Sequence, residues 1–508
     1  MPLFSALEWD TTNRRVRDEV VAERHIGNRK RVDYGFRIKS VTRFYLEAKD
    51  LKDDLESEEI LDQAVNYSYL KGVPWAVVSN FERTIVLDAD KEAVTSKERI
   101  YLNFTADEYE ARLADLYLLA RPAILAGDLD RDAERHGKAR RKPVGEQLLS
   151  DLTKFREALT REVLRLNAAQ LAGDENLLDQ IVQRILDRLL FMRSAEDRGL
   201  EERGLLALVR DEDKDSLTQR LRERFRDYDD GYDSELFEKT IADEVKIDPD
   251  VLEKVIRGLY STVGRTVTYD FSVIGSDVLG EVYEQYLGIV LRKTPKRAVL
   301  VGGSVHRKEQ GIFYTPAYIV QHIVDATLGE TLRGGSESSV RKLRVVDPAC
   351  GSGSFLMKAY DALEAYWRGN RSVAFGQQVL SGDSDELVFT RKTEIIRNNI
   401  FGVDLDSKAA EIARLNLLLR ISERRKRLPL LHHNIRVGDS LISDSELSGS
   451  AFVWDHEFSD TMQGGGFDVV IGNPPWSSKI PSVLSSTDLR LTGSSGLFRG
   501  SGRRSPSR

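Results

Sequence analysis

The stretch GFDVVIGNPPW, at residues 466–476, ends an apolar run with an amide, two prolines and an indole. An sp² amine is a poor nucleophile because its lone pair is delocalised, so a catalyst must hold it and draw it toward tetrahedral geometry. The side-chain oxygen of Asn473 can accept one N–H of such an amine, and the carbonyl of Pro474 can accept the other. Trp476 offers a flat face on which a base can stack. These residue types suit the alkylation of an amine on a base that has left its stack.

Three further apolar runs end in an acidic residue, within RVVDPACGSG, NIFGVDLD and IRVGDSL. After Asp347, the glycines Gly351 and Gly353 allow the backbone to approach a ligand and open a helix whose N–H groups face it. Asp404 can bind the two hydroxyls of a ribose, and Asp439 can accept from an exocyclic amine. The first turn alone is equally well explained as an ordinary β–α turn. Together the three runs predict a nucleoside site.

Helical segments separate these runs, as in SFLMKAYDALEAYW and SKAAEIARLNLLLR. Alternation of strand and helix predicts an α/β fold with a doubly wound parallel sheet. Ligands of such sheets bind at the carboxyl ends of the strands. We therefore expect the acidic residues and the asparagine to lie along one edge of one sheet.

In this order, DPACGSG, GVDLD, GDSL and NPPW resemble motifs I to IV of the methyltransferases that modify adenine N6 in DNA. The segment GIFYTPAYIVQHIV, at residues 311–324, is similar to motif X of that family, which precedes motif I in the γ arrangement. The resemblance covers residues 310–476. It implies a Rossmann-like domain, S-adenosylmethionine as methyl donor, and double-stranded DNA with a flipped adenine as the partner.

The same resemblance implies the residues of the site. Those that would bind the cofactor are Thr315, Pro316, Asp347, Ala349, Gly351, Gly353, Asp404, Asp439 and Leu441. Those that would hold the target base and act in catalysis are Asn473, Pro474, Pro475 and Trp476. The family more often has Tyr or Phe at the last position, and Trp keeps the stacking face. Cys350 is expected to be structural, because a cysteine is typical of this motif.

A second group of chemically capable residues lies near the N-terminus, in RKRVDYGF and RFYLEAKD. Glu47 and Lys49 would point the same way from one strand, with Asp33 within reach on a neighbouring strand. Asp33 and Glu47 could bind Mg²⁺, while the lysine steadies an attacking water or a scissile phosphate. Taken alone, a solvated strand face explains the pattern as well.

The surrounding segments resemble the PD-(D/E)xK nuclease fold, an α+β fold. Gln63 and Tyr67 lie four residues apart on the next predicted helix, as in the nuclease domains of restriction subunits. The sequence departs from the family pattern in having VD where the name has PD. Glu23 is a candidate for an additional upstream acid.

Taken together, the segments resemble type IIG restriction–modification enzymes with a γ-type adenine methyltransferase. The expected domains are a nuclease at 1–105, a helical connector at 106–300 and an incomplete methyltransferase domain at 301–476. Two alternatives stay open: a methyltransferase acting on protein glutamine or RNA, and a non-catalytic remnant that binds DNA or cofactor. Residues 477–508 are rich in Ser, Arg and Gly, and we expect a disordered or frame-shifted tail that replaces a longer C-terminal part.

Composition limits the class of protein. The net charge of −7 excludes a global basic field, so contact with DNA must use local patches. One cysteine in 508 residues excludes disulfides within the chain and favours the cytoplasm. No apolar stretch is long enough for a membrane span, and no motif indicates an obligate protein partner.

Overall fold

The structure is a computed structural model. It describes residues 2–14, 19–22, 32–38, 41–135, 141–171, 175–210, 213–232, 236–262, 267–274, 278–279, 282, 285, 289–294, 297–302, 315–369, 385–424, 426–446 and 448–474. Glu23, Pro475, Trp476 and the predicted tail at 477–508 therefore lie outside the described residues.

The chain divides into two compact units. The first consists of Met1–Asp151, Asp197–Gly199 and Arg257–Gly275, and the second of Leu152–Glu196, Leu200–Ile256 and Ser276–Arg508.

The first unit is built on six strands and five short helices, and a sixth helix begins in it. Its strands are β1 Val20–Ala22, β2 Tyr34–Ile38, β3 Val41–Ala48, β4 Trp75–Ser79, β5 Arg83–Asp88 and β6 Ile100–Thr105. Its helices are α1 Pro2–Ala6, α2 Glu58–Leu70, α3 Leu113–Tyr117, α4 Arg121–Ala126 and α5 Asp128–Arg135, and α6 Val144–Leu166 begins there.

The six strands form one mixed sheet in sequence order. Neighbouring strands are antiparallel except β3 and β4, which are parallel and are joined by helix α2. The helix begins after Ser57 with two glutamates in its first turn, where negative charge favours the helix dipole. It ends just before Gly72, whose φ of +66° lies in the left-handed region that glycine adopts without strain. The helix predicted from EEILDQAVNYSYLKG is thus confirmed.

Aromatic side chains dominate the core of the first unit. Phe36 and Phe44, from adjacent strands, stack with ring centroids 4.4 Å apart, and the edge of Trp9 meets both rings. Buried aromatic rings remove a large apolar area from water, so this cluster stabilises the face of the sheet that carries it.

The second unit contains the remaining described helices and strands. After α6, its helices are α7 Glu175–Asp197, α8 Gly204–Leu208, α9 Leu217–Tyr232, α10 Pro249–Gly258, α11 Ala317–Val324, α12 Glu330–Gly334, α13 Glu337–Lys342, α14 Ser354–Gly369, α15 Asp385–Asn399, α16 Ser407–Ile421, α17 Trp454–Glu457 and α18 Ser459–Gln463. Its strands are β7 Ile289–Thr294, β8 Arg297–Gly302, β9 Val345–Asp347, β10 Ile400–Asp404, β11 Ile435–Val437 and β12 Val469–Val470.

Four of these strands form a parallel sheet in the order β11-β10-β9-β12. They are the four apolar runs that the sequence predicts to be strands, and each is short; β9 is buried throughout, and β10 is buried except at its last residue. Helix α14 follows β9, α15 precedes β10, and α16 follows it. Strands β7 and β8 form a separate antiparallel pair.

Helix α9, before the parallel sheet, is amphipathic. In α9, the buried residues Leu217, Leu221, Phe225, Tyr228 and Tyr232 recur every three or four positions, which is the period of one helix face. Among the described residues, no helix combines the length and the apolar character needed to cross a bilayer.

Candidate active site

The carboxyl ends of the four parallel strands bring the predicted site residues to one edge of the sheet. Asp347 ends β9 and Asp404 ends β10. Asp439 follows β11 by two residues, and Asn473 follows β12 by three. Because the strand order is β11-β10-β9-β12, the side chains occur along the edge in the order Asp439, Asp404, Asp347, Asn473.

Asp347 is buried, with 1% of its surface exposed. Its Oδ1 accepts a hydrogen bond from the Ala349 N–H at 3.0 Å, whereas its Oδ2 has no hydrogen-bond partner among the described residues. Burial raises the pKa of Asp347 to about 8; the Ala349 N–H opposes that rise and the charge of Asp404 adds to it. A buried carboxyl with an unused oxygen is costly unless a ligand satisfies it.

Gly472 lies directly against this carboxyl. A Cβ built on Gly472 would be 2.4 Å from Asp347 Oδ1, closer than any side chain tolerates. The glycine before Asn473 is therefore required for the strand end β12 to lie beside the strand end β9.

The turn after β9 is tied to the end of β10. Gly351, at φ +52°, donates its N–H to Asp404 Oδ2 at 2.8 Å, and the Cys350 N–H donates to the Val403 carbonyl at 2.9 Å. Burial raises the pKa of the Asp404 carboxyl, although N–H groups of Asp406 and Gly351 oppose the rise. The glycine turn and the second acid thus form one hydrogen-bonded unit.

Two other residues of the turn have packing roles. A Cβ on Gly353 would lie 3.2 Å from the Cβ of Ala413 on α16, so this glycine allows close approach of that helix. Cys350 is buried, and burial raises the pKa of its thiol well above the usual value, which leaves it a poor nucleophile.

Asp439 begins a turn rather than a helix. Its Oδ1 accepts from the Leu441 N–H at 3.0 Å, and the indole N–H of Trp454 donates to the Ser440 carbonyl at 3.0 Å. The turn leaves Leu441 68% exposed. Leu405, the residue after Asp404, is 61% exposed. Two large apolar side chains are thus exposed at the ends of adjacent strands.

Leu405 is a candidate site residue that the sequence analysis missed. The signal was present, since an apolar residue lies between two acids in VDLD. Exposure identifies it, because a lone leucine in a sequence gives no indication of which way it faces.

Asn473 and Thr315 meet although 158 positions separate them. The Asn473 side-chain N–H donates to Thr315 Oγ1 at 3.1 Å. Thr315 and Pro316 immediately precede α11, with Pro316 at its N-cap. The structure thus joins a residue expected to bind the methyl donor to one expected to bind the acceptor.

The N-terminal candidates also lie together, within the first unit. Glu47 Oε1 accepts from Lys49 Nζ at 2.5 Å and from Gln63 Nε2 at 2.9 Å. Asp33 lies beside them, because its N–H donates to the Leu46 carbonyl at 3.0 Å and its Oδ2 accepts from the Ala48 N–H at 2.7 Å.

Glu47 is buried, and the side chain of Lys49 is 12% exposed. Tyr67 packs edge-on against Tyr45 with ring centroids 5.0 Å apart. No group of three or more His, Cys, Asp or Glu side chains suited to a metal ion occurs in the part of the chain that the structure describes.

Comparison with known proteins finds a family match for the segment that contains the strand edge from Asp439 to Asn473. Residues 275–493 match the sequence model of the N-6 DNA methylase family. Over 93% of its length the chain is 29% identical to the type II restriction enzyme and methyltransferase RM.Eco57I of Escherichia coli, of which the match covers 49%. The chain thus spans about half the length of that relative, and the resemblance to type IIG enzymes is confirmed.

Two further similarities cover smaller parts of the chain. Over 34% of its length the chain is 26% identical to the adenine-specific methyltransferase PglX of Streptomyces coelicolor, of which 15% is covered. The structure of the Type IIL restriction-modification enzyme MmeI in complex with DNA is similar over 64% of this chain and 43% of that chain, with 19% identity and a TM-score of 0.40.

Proposed function

We propose that this protein is a site-specific DNA methyltransferase that transfers a methyl group from S-adenosylmethionine to adenine N6. It would act within a restriction–modification system and carry a fused Mg²⁺-dependent nuclease. The observation that supports the methyltransferase most directly is the shared strand edge, where a nucleoside-binding set and an amine-binding asparagine lie side by side.

The residues present fit S-adenosylmethionine, which when bound supplies a methyl group on a sulfonium centre. Asp347 offers a buried oxygen without a partner, and the turn from Ala349 to Gly353 lets backbone approach a ligand. Asp404 would accept from the ribose hydroxyls. Asp439 would accept from the adenine amine.

The apolar side chains of the site would bind the flat part of the cofactor. Leu405 and Leu441 are exposed on adjacent strand ends, and covering them with a purine would remove apolar surface from water. Thr315 and Pro316 would bind the methionine end.

Asn473 would orient the acceptor. Its amide nitrogen donates to Thr315, and its Oδ1, which is the acceptor of the amide group, would accept an adenine N–H. The Pro474 carbonyl would accept the second N–H, which draws the amine toward tetrahedral geometry. Pro475 would stiffen the segment, and Trp476 would stack on the extruded base.

The N-terminal unit is proposed to be a nuclease of the PD-(D/E)xK type. Asp33 and Glu47 would bind Mg²⁺, and Lys49 would steady the attacking water or the phosphate. Gln63 orients Glu47 through its hydrogen bond to Oε1. The proposed domain bounds are 1–105, 106–300 and 301–476, and the proposed location is the cytoplasm.

The first experiment is nucleoside mass spectrometry for N6-methyladenine on plasmid recovered from methylation-deficient cells that express the chain. We expect a signal with the unmodified chain and its loss with Asn473→Ala. Asn398→Ala, at an exposed position of α15, is the matched control and should keep the signal.

Mass spectrometry of RNA and protein from the same cells, and binding of S-adenosylhomocysteine by the purified chain, test the alternatives. Methylated RNA or methylated protein glutamine, with no methylated DNA, would overturn the substrate. Folded protein that binds S-adenosylhomocysteine but methylates none of these would favour the non-catalytic remnant.

A further inference from the structure

The first turn of helix α16 contains a lysine, whose positive charge is unfavourable at that end of a helix. Lys408 is the second residue of α16, and a cation in the first turn opposes the helix dipole. Its backbone N–H donates at 2.9 Å to the Asp406 side chain, which caps the helix. Its ammonium forms an ion pair with Asp179 of helix α7. A locally unfavourable residue that is neutralised from a distant helix points to a role beyond helix formation.

Asp179 is held between two cations. It is 5% exposed, and Arg156, which is fully buried, donates to its Oδ1 at 2.6 Å. Burial raises the pKa of Asp179, but the charges of Arg156 and Lys408 more than offset this, so the net shift is downward. The carboxylate is therefore ionised, and its position is determined by α6 and α7.

From Asp179, a continuous series of hydrogen bonds leads to the proposed ribose acid. Lys408 bonds to Asp406, and the Asp406 N–H donates to Asp404 Oδ1 at 2.9 Å. Asp404 Oδ2 accepts from the Gly351 N–H. The turn from 404 to 408 is thus fixed at one end by the glycine turn and at the other by helix α7.

The ion pair also determines which acid the lysine neutralises. Without Asp179, the nearest acids in the sequence are Asp406, Glu411 and Asp404. An ammonium paired with Asp404 would compete with the ribose hydroxyls for the same oxygens.

We propose that Asp179, acting through Lys408, is a positioning residue for cofactor binding. It keeps the turn after β10 in the conformation that binds the ribose and couples helix α7 of the connector to cofactor affinity. This inference rests on the proposed binding of S-adenosylmethionine at Asp404.

The test measures the dissociation constant of S-adenosylhomocysteine by calorimetry on the full chain. Lys408→Gln removes the ammonium but keeps the buried Arg156–Asp179 pair, so the fold should be retained. We expect binding to weaken about fivefold to tenfold, with little change in the thermal midpoint. Lys408→Arg, which can still reach Asp179, should restore most of the affinity.

Glu411→Gln is the matched control. Glu411 lies on the same helix as Lys408 and contacts Arg184 of the same helix α7 at 3.6 Å, but the pair is partly exposed and lies outside the turn. This variant should bind like the unmodified chain. An equal loss in Glu411→Gln would assign the effect to helix packing and overturn the positioning role.

The variant Asp179→Asn tests whether Asp179 acts on cofactor binding through Lys408. It should weaken binding at least as much as Lys408→Gln, and the double variant should lose no more than Asp179→Asn alone, because both changes remove one coupling. Additive losses would overturn coupling through Lys408. If the unmodified chain and Lys408→Gln bind S-adenosylhomocysteine equally well, the positioning role is wrong and the proposed function is unaffected. If the unmodified chain does not bind S-adenosylhomocysteine, both the positioning role and the proposed function are wrong.

Discussion

At the scale of single residues, burial determines the protonation state of Asp347. A carboxyl at a strand end is ordinarily ionised at neutral pH, but this one is nearly inaccessible to water and lies near Asp404. With its pKa raised to about 8, Asp347 is largely protonated at pH 7 in the absence of a ligand. The proposed cofactor carries positive charge, so its arrival would favour the ionised form.

This shift predicts a pH dependence of stability. The pKa of Asp347 in the folded chain exceeds the unfolded value of about 4, so the folded state binds more protons between these values. The free energy of unfolding therefore falls as pH rises from about 4 to about 8 because of this group. Asp347→Asn removes this contribution.

Urea denaturation of both proteins from pH 5.5 to 8.0 measures the effect. The stability of Asp347→Asn relative to the unmodified chain should rise with pH, by at most about 1.4 kcal/mol per pH unit. Titrating groups that do not interact with Asp347 occur in both proteins and cancel. A difference independent of pH would contradict the raised pKa.

At the scale of elements, two buried asparagines fix the starts of the central strands. Asn434 donates to the carbonyls of Ile396, Arg397 and Ile400 at 2.9–3.1 Å, which joins the end of α15 and the start of β10 to the segment before β11. Asn399 donates to the carbonyls of Val340 and Leu343 at 3.0 and 2.6 Å. Carbonyls at helix ends need such partners when water is excluded.

Asn434→Ala should therefore destabilise the second unit by about 1–3 kcal/mol, because it leaves buried carbonyls without a donor. Urea denaturation measures the change. Asn398→Ala, at an exposed position of the same helix α15, should change stability by less than about 0.5 kcal/mol. Equal effects of the two substitutions would show that the Asn434 bonds do not stabilise the fold.

At the scale of the whole molecule, the two candidate sites lie in different compact units. Asp33, Glu47 and Lys49 belong to the first, and the strand edge from Asp439 to Asn473 belongs to the second. Each set is held by hydrogen bonds within its own unit, so a change in one should leave the chemistry of the other intact.

Lys49→Ala tests this separation. It should abolish Mg²⁺-dependent DNA cleavage and leave N6-methyladenine formation unchanged, because Lys49 contacts Glu47 and none of the methyltransferase residues. Lys52→Ala is the control, since Lys52 is exposed and its weak pair with Asp50 spans 3.9 Å. Cleavage that persists in Lys49→Ala would contradict the nuclease role.

Sequence alone was sufficient to place Asp347, Asp404, Asp439 and Asn473 together. Each follows a short apolar run with helices between, and the carboxyl ends of parallel strands must share an edge. It was likewise sufficient for Glu47 and Lys49, because residues two apart on a strand face the same way. These are consequences of local periodicity.

Tertiary structure decided what lies between those residues. The exposure of Leu405, the clash that requires Gly472 and the burial of Asp347 depend on how neighbouring strands and helices pack. The ion pair of Asp179 and Lys408 joins positions 229 residues apart. No periodicity in a sequence encodes such a distance, because it is the sum of many packing contacts rather than a property of either helix alone.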